Sequence, residues 1–180
     1  MLRRVIALGL LLVQVAVVLD RLLAHRRGSN PPPTLSMLEV VDAPIDATWA
    51  VLSDIPRQPE WMRDMKRVAI ETPGAVGVGT RAEATVRILG IAVSDPVEIT
   101  AFEPPVRFAI RHDGLFSGDG VITLEPGADD TTTIVRWTET LVPPLLPELG
   151  AVAQAPVLRA VFQEDLRRLK RLVETGSAAG

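Results

Sequence analysis

The chain has 180 residues, 47% hydrophobic, 23% charged and 4% aromatic, which fits one folded domain with an appendage and excludes a disordered or collagen-like protein. It contains no cysteine, so disulfide frameworks, cysteine-ligated zinc, iron–sulfur clusters and thiol nucleophiles are excluded, and two histidines argue against a multi-histidine metal site. Of 19 basic and 22 acidic residues, five and one fall before residue 35, so the remainder is net −7, the wrong sign for binding nucleic acid.

Residues 5–19, VIALGLLLVQVAVVL, are apolar but for Gln14. Continued through Asp20 and Arg21 to Ala24 they make a segment about 30 Å long as a helix, enough to cross a hydrocarbon core with Asp20 and Arg21 at the interface. A single-pass membrane anchor over residues 1–27 is the expectation. The competing reading is a cleaved signal peptide, but no small-x-small site follows the apolar run. Arg3, Arg4 and the terminal amine balance Arg21, Arg26 and Arg27, so positive-charge counting assigns no orientation. Residues 28–35, with Pro31, Pro32 and Pro33, read as an extended polyproline spacer that tethers a domain beside the bilayer.

From Ser36 the pattern changes. Residues 38–41 suit a first strand, closed by Asp42, Ala43 and Pro44. Ile45, Trp49 and Leu52 recur at helical spacing, with Asp46 in the first turn, and Glu60, Trp61 and Met62 open a second helical turn leading to a strand over 68–71. The glycines of Gly74-Ala75-Val76-Gly77-Val78-Gly79 precede a strand rather than a helix, so they form a turn and not a phosphate loop.

Strict alternation then marks strands. Ala82, Ala84, Val86 and Ile88 face one way and Arg81, Glu83, Thr85 and Arg87 the other. The same period groups Val97, Ile99 and Ala101, then Val106, Phe108 and Ile110, then Val135 and Trp137. Connections at Leu89-Gly90, Glu103-Pro104-Pro105, His112-Asp113-Gly114 and 126–130 are short, which predicts an antiparallel meander with one apolar face. A terminal helix, with Pro156 in its first turn and Leu158, Phe162, Leu166, Leu169 and Val173 as its apolar stripe, covers that face. Its basic run, Arg167, Arg168, Lys170 and Arg171, reads as a solvated side.

This order resembles the helix-grip fold of the START-like, or SRPBCC, superfamily, and most of all its polyketide cyclase/dehydrase and lipid-transport members. The resemblance is carried by residues 43–54 (APIDATWAVLSD) with Trp61, by Gly77-Val78-Gly79-Thr80-Arg81, Glu103-Pro104-Pro105-Val106-Arg107-Phe108, Thr133-Ile134-Val135-Arg136-Trp137-Thr138-Glu139 and Asp165-Leu166-Arg167-Arg168-Leu169-Lys170. It implies an α+β domain over residues 36–175, a curved antiparallel sheet wrapped around a long C-terminal helix, followed by a disordered tail at 176–180. It also implies an apolar cavity for a lipid or other hydrophobic small molecule, while the composition already argues against a metal and no cofactor is expected. Small residues at Ala82, Ala84 and Ala101 leave room for one.

The candidate lining is Trp61, Ala84, Val86, Phe108, His112, Trp137, Glu139 and Phe162. Glu139 shares a face with Val135 and Trp137, where desolvation would raise its pKa, and His112 continues the face of Phe108 and Ile110. These two are the acid/base candidates for the alternative function, a cyclase- or dehydrase-like enzyme. With no tyrosine in the chain, such an enzyme lacks a phenolic acid.

Overall fold

The computed structural model describes residues 2–88 and 91–177. In chain order the elements are α1 (Leu2–Arg27), β1 (Leu35–Val41), α2 (Ile45–Leu52), a 3-10 turn (Ile55–Glu60), β2 (Met65–Ile70), β3 (Arg81–Ile88), β4 (Ile91–Glu103), β5 (Arg107–Asp113), β6 (Ser117–Pro126), β7 (Thr133–Glu139) and α3 (Pro147–Ser177). The strands form one antiparallel sheet in the order β1-β7-β6-β5-β4-β3-β2. Strands β2 to β7 are a meander, as their short connections require, and β1 joins beyond β7, so the segment carrying α2 crosses the sheet from one edge to the other. The turn expected at Leu89-Gly90 lies outside the described residues, as do three residues of the anticipated tail; α3 runs through Gly176 and Ser177.

Alternation places one face of each strand inside. Leu35, Met37 and Val41 of β1, Ile122 and Leu124 of β6, and Val135 and Trp137 of β7 are buried together with Leu166, Leu169 and Val173 of α3. Trp49 and Leu52 of α2 close the same core. Two polar side chains within it satisfy each other and the backbone: the Thr133 hydroxyl donates to the Ala43 carbonyl at 2.7 Å and stands 3.3 Å from Thr48 Oγ1.

Three departures from simple periodicity have physical causes. The register shifts between Ile99 and Ala101, and this bulge turns Ala101 to the outer face opposite Ala109 while Phe102 pairs with Phe108. Ala101 therefore leaves the inner lining where alternation had put it. Phe102 takes an edge-on contact with Trp49 at 5.4 Å and another with Phe108 at 6.2 Å. Strand β4 contains Pro96, tolerated because pairing with β5 begins only at Val97, so up to that point β4 is bonded on its β3 side alone.

The helix α3 starts nine residues before Pro156, which lies inside it rather than in its first turn. Pro147 takes the first position, where a missing N–H costs nothing. Pro156 is exposed, so water can solvate the carbonyl that its ring leaves unbonded. The basic run beyond it is a solvated side threaded with ion pairs: Arg171 with Glu164 at 2.9 Å, and Lys170 with Glu174 at 2.8 Å and Asp42 at 3.2 Å. Lys170 also donates to the Val40 carbonyl, which ties α3 to β1.

Helix α1 has one window, Leu8–Arg27, long and apolar enough to cross a bilayer. Its side chains are exposed rather than packed into the core, with Leu10, Leu12 and Val13 each about 60% accessible. At its end, however, Asp20 is buried against α3 and Arg27 pairs with Glu148, so α1 is joined to the domain by more than the spacer.

Leu166 is wholly inaccessible, whereas Val157 on the same helix is 64% exposed. Leu166→Ala is expected to lower unfolding free energy by about 2–5 kcal/mol, and Val157→Ala to leave it within about 0.5 kcal/mol, in denaturant titrations of the two variants.

Candidate functional site

The inner face carries an apolar core over most of its length, but at the end where β7 and β1 meet the start of α3 it turns polar. Alternation along β7 buries Thr133, Val135, Trp137 and finally Glu139, which is 2% exposed. Glu139 can lie flat across the sheet because its partner on β6 is Gly120. A Cβ at that position would come within 2.5 Å of Glu139 Oε2. Two residues earlier, Gly118 has φ +144° and lets the Thr140 carbonyl pass where any side chain would collide with it.

The carboxylate so placed reaches His112 on β5. His112 Nε2 is 3.0 Å from Glu139 Oε1, and its Nδ1 is 2.7 Å from Oδ2 of Asp95 on β4. The second oxygen of Glu139 accepts the indole N–H of Trp137 at 2.8 Å. A row of four side chains, Asp95, His112, Glu139 and Trp137, thus crosses the sheet from β4 to β7.

Both imidazole nitrogens face carboxylate oxygens, and both can donate only in the imidazolium form. Burial by itself pulls the His112 pKa down, but the bonds to Asp95 and Glu139 and their charges outweigh it and push it up to about 10. Burial raises the Glu139 carboxyl, against the opposing pull of His112 and Trp137. The two acid/base candidates therefore meet, and near neutrality the imidazolium has no free lone pair to act as a base while both oxygens of Glu139 are already engaged.

Beside this row stands an aromatic group. Trp137 lies 4.8 Å from Phe162 of α3, tilted by 34°, and 6.2 Å from Trp61, nearly perpendicular. Trp61 is fully buried and its indole N–H meets no acceptor among the described residues. Of the predicted lining residues, Trp61, His112, Trp137, Glu139 and Phe162 converge here. Ala84 pairs with Asp95 and belongs to the same end, whereas Val86 sits one inward position farther along β3, opposite Val93. Phe108 is in the same core and makes its ring contact with Phe102, which in turn meets Trp49.

Two depressions lie along α3, a void of about 10 Å³ among Leu35, Leu141, Ala151 and Leu158 and an open groove of about 420 Å³ on its outward side. The first is about the size of one water. Between helix and sheet, Trp61, Trp137 and Phe162 meet in ring contact. Asp95 is the residue that sequence reasoning missed. The period of two, carried back along β4 from Ile99 and Val97, reaches it and was the available signal.

These shifts fix a pH dependence. Because the folded-state pKa of His112 is raised from 6.5 to about 10, its contribution to stability is complete below 6.5, declines above it and is gone once pH passes about 10. Glu139, also raised, acts in the same sense from its ordinary value of 4.5 upward. His112→Gln should cost about 3–5 kcal/mol at neutral pH by stranding two carboxylates, and should abolish the alkaline decline seen in thermal melts of the parent.

The arrangement can be set against known proteins. No curated protein matches the chain in sequence. Among solved structures, a Thermus thermophilus protein aligns with a TM-score of 0.68 at 16% identity, covering 81% of this chain and 99% of its own. A Deinococcus radiodurans protein aligns at 0.60 and 24% identity, covering 80% and 98%. The Zhui aromatase/cyclase of a Streptomyces species aligns at 0.64 and 18%, covering 79% and 93%. At these identities the likeness is one of fold, the helix-grip arrangement of sheet and C-terminal helix. In sequence, the family model described as polyketide cyclase/dehydrase and lipid transport matches residues 33–174, the whole of the sheet and nearly all of α3. The chain belongs to that family.

Proposed function

We propose that the domain binds a hydrophobic small molecule or lipid between the first half of α3 and the end of the sheet bearing Trp137 and Glu139, beside Trp61, and that α1 holds it at a membrane as a single-pass anchor. In this reading residues 1–27 are the anchor, 28–35 the spacer and 36–175 the binding domain. The observation that carries it is the fully buried Trp61 N–H without an acceptor, set in an aromatic cluster. An unpaired buried donor costs about 1–3 kcal/mol, and a ligand with an apolar body and one acceptor oxygen would relieve it. Family membership supports the same class of ligand. Because these rings are in contact, entry requires Phe162 and the first half of α3 to move away from Trp137.

A cyclase- or dehydrase-like activity is the second reading, favoured by the 3.0 Å contact between His112 and Glu139. It requires ligand entry to break that contact and free one partner for proton transfer. Glu139→Gln separates the two readings, since a carrier leaves its ligand chemically unchanged in parent and variant alike, whereas an enzyme turns it over in the parent and loses turnover in the variant.

Titration of the full chain in detergent with a fluorescent long-chain acyl probe is expected to saturate. Trp61→Phe, which removes the N–H and keeps the ring, should weaken binding about tenfold, equivalent to one hydrogen bond of about 1.4 kcal/mol. Trp49→Phe, in the core cluster, should leave affinity unchanged. Unsaturable binding, or equal affinity in all three proteins, would refute the assignment of the site. For the anchor, the full chain should remain in the pellet after carbonate extraction of membranes, and a chain begun at Thr34 should appear in the supernatant.

A further inference from the structure

We infer that the outward face of the first half of α3 is a bilayer-docking surface, held against lipid by a clamp between α1 and the start of α3. This inference rests on the membrane reading of α1 above.

The clamp follows from a capping defect. The residue before α3, Leu146, has φ +51° and no side-chain oxygen, and Pro147 has no N–H, so the first donors needing a partner are the amides of Glu148 and Leu149. Asp20 of α1 supplies it, with Oδ1 accepting both amides at 2.9 Å. Arg27, seven residues farther along α1, forks onto the Glu148 carboxylate at 2.6–3.0 Å. Two attachments roughly 10 Å apart along one helix fix an angle as well as a point. They also give Asp20 a purpose at the end of an apolar helix where a charge is otherwise costly.

Residues 149–158, LGAVAQAPVL, are apolar but for Gln154, and Gln154 turns inward to the Leu141 carbonyl. Ala151, Ala155 and Leu158 face Leu35 and Leu141. What remains outside is Val152, Ala153, Pro156, Val157 and Ala160, an exposed strip with no polar side chain. Leu145, two residues before the helix, is 80% exposed. The second half of the same helix shows the contrast, since its outer side carries Arg167, Arg168 and Arg171.

Charge complementarity selects lipid as the occupant. Arg21 and Arg26 are exposed at the end of α1, and Arg63 and Arg159 are exposed beside the strip. Of the acids on this part of α3, Glu148 is paired with Arg27 and Glu164 with Arg171. An apolar helix face flanked by free arginines suits an interface of acyl chains and anionic headgroups, into which such a face sinks about 5–10 Å. The groove lined by Pro156, Val157, Ala160 and Val161, with Arg63 and Glu164 at its rim, opens on this side. A lipid leaving the bilayer would meet it first.

The chain has no cysteine, so single-site labelling is clean. Full-length Val157→Cys and Asp129→Cys, the latter in the turn at the far end of β6 and β7, are labelled with an environment-sensitive fluorophore. Each is reconstituted in phosphatidylcholine–phosphatidylglycerol vesicles carrying acyl-chain nitroxides. The label at position 157 should shift to the blue and lose most of its emission, and the label at 129 should do neither. Adding Asp20→Ala and Arg27→Ala should leave the protein floating with the vesicles but restore emission at 157. A protein that floats while its 157 label stays unquenched overturns this inference and leaves the anchor standing. A protein that does not float overturns the anchor, and the inference with it. Quenching unchanged without Asp20 and Arg27 overturns the clamp. A blue shift without quenching, together with disulfide-linked dimers of unlabelled Val157→Cys, identifies a second copy as the occupant and overturns the lipid assignment.

Discussion

A seven-stranded sheet whose first and last members in space, β1 and β2, are both edges cannot close upon itself, so its apolar face must be covered by something else. That cover is α3, and the rest of the architecture depends on the contact. Leu166, Leu169 and Val173 seat the second half of the helix firmly in the core formed with Val41, Leu52 and Val135. The first half packs Ala151, Ala155 and Leu158 against Leu35 and Leu141 and is held at its beginning by α1. One helix is therefore secured in two ways, by core burial at its end and by polar contacts with another helix at its start.

The charged row gives the end of the sheet beside the start of α3 its character. Burying Glu139 in isolation would cost several kcal/mol, and the imidazolium of His112 with the indole of Trp137 offsets that cost through directed bonds to both oxygens. Apolar residues at these positions could pack as well or better in energetic terms. The row instead sets orientation: Trp137 is tethered through its N–H to a carboxylate that is itself held by His112, so the ring that meets Trp61 and Phe162 stands at a determined angle. The same tether holds the Trp137 ring beside the buried indole N–H of Trp61, which has no acceptor among the described residues.

The join between α1 and the domain changes the meaning of the proline-rich spacer. A flexible tether alone would leave the domain free to adopt any attitude to a membrane. With Asp20 capping α3 and Arg27 paired to Glu148, the same helix that carries the apolar window also completes the helix that covers the inner face of the sheet. Movement of one is then felt by the other, because the amides of Glu148 and Leu149 lose their acceptor if they part.

Much of this was determined locally. The period of two from Arg81 onward assigned faces to β3, β5 and β7, the three- and four-residue steps from Leu158 to Val173 defined the buried stripe of α3, and fifteen residues nearly devoid of polarity described the character of α1. Glu139 and His112 were placed on the inner face by the same alternation. What alternation could not supply was the relation between strands. A one-residue bulge sends Ala101 outward and Phe102 inward, and no local pattern announces it. Asp95 meets His112 across strands 17 residues apart, and Gly120 makes room for a carboxylate 19 residues away, because pairing register, not sequence distance, brings them together. The start of α3 escaped for the same reason. Its cap is Asp20, more than 120 residues distant, so the capping side chain is missing from its own sequence, and Pro147 with Glu148 are the local marks of its beginning.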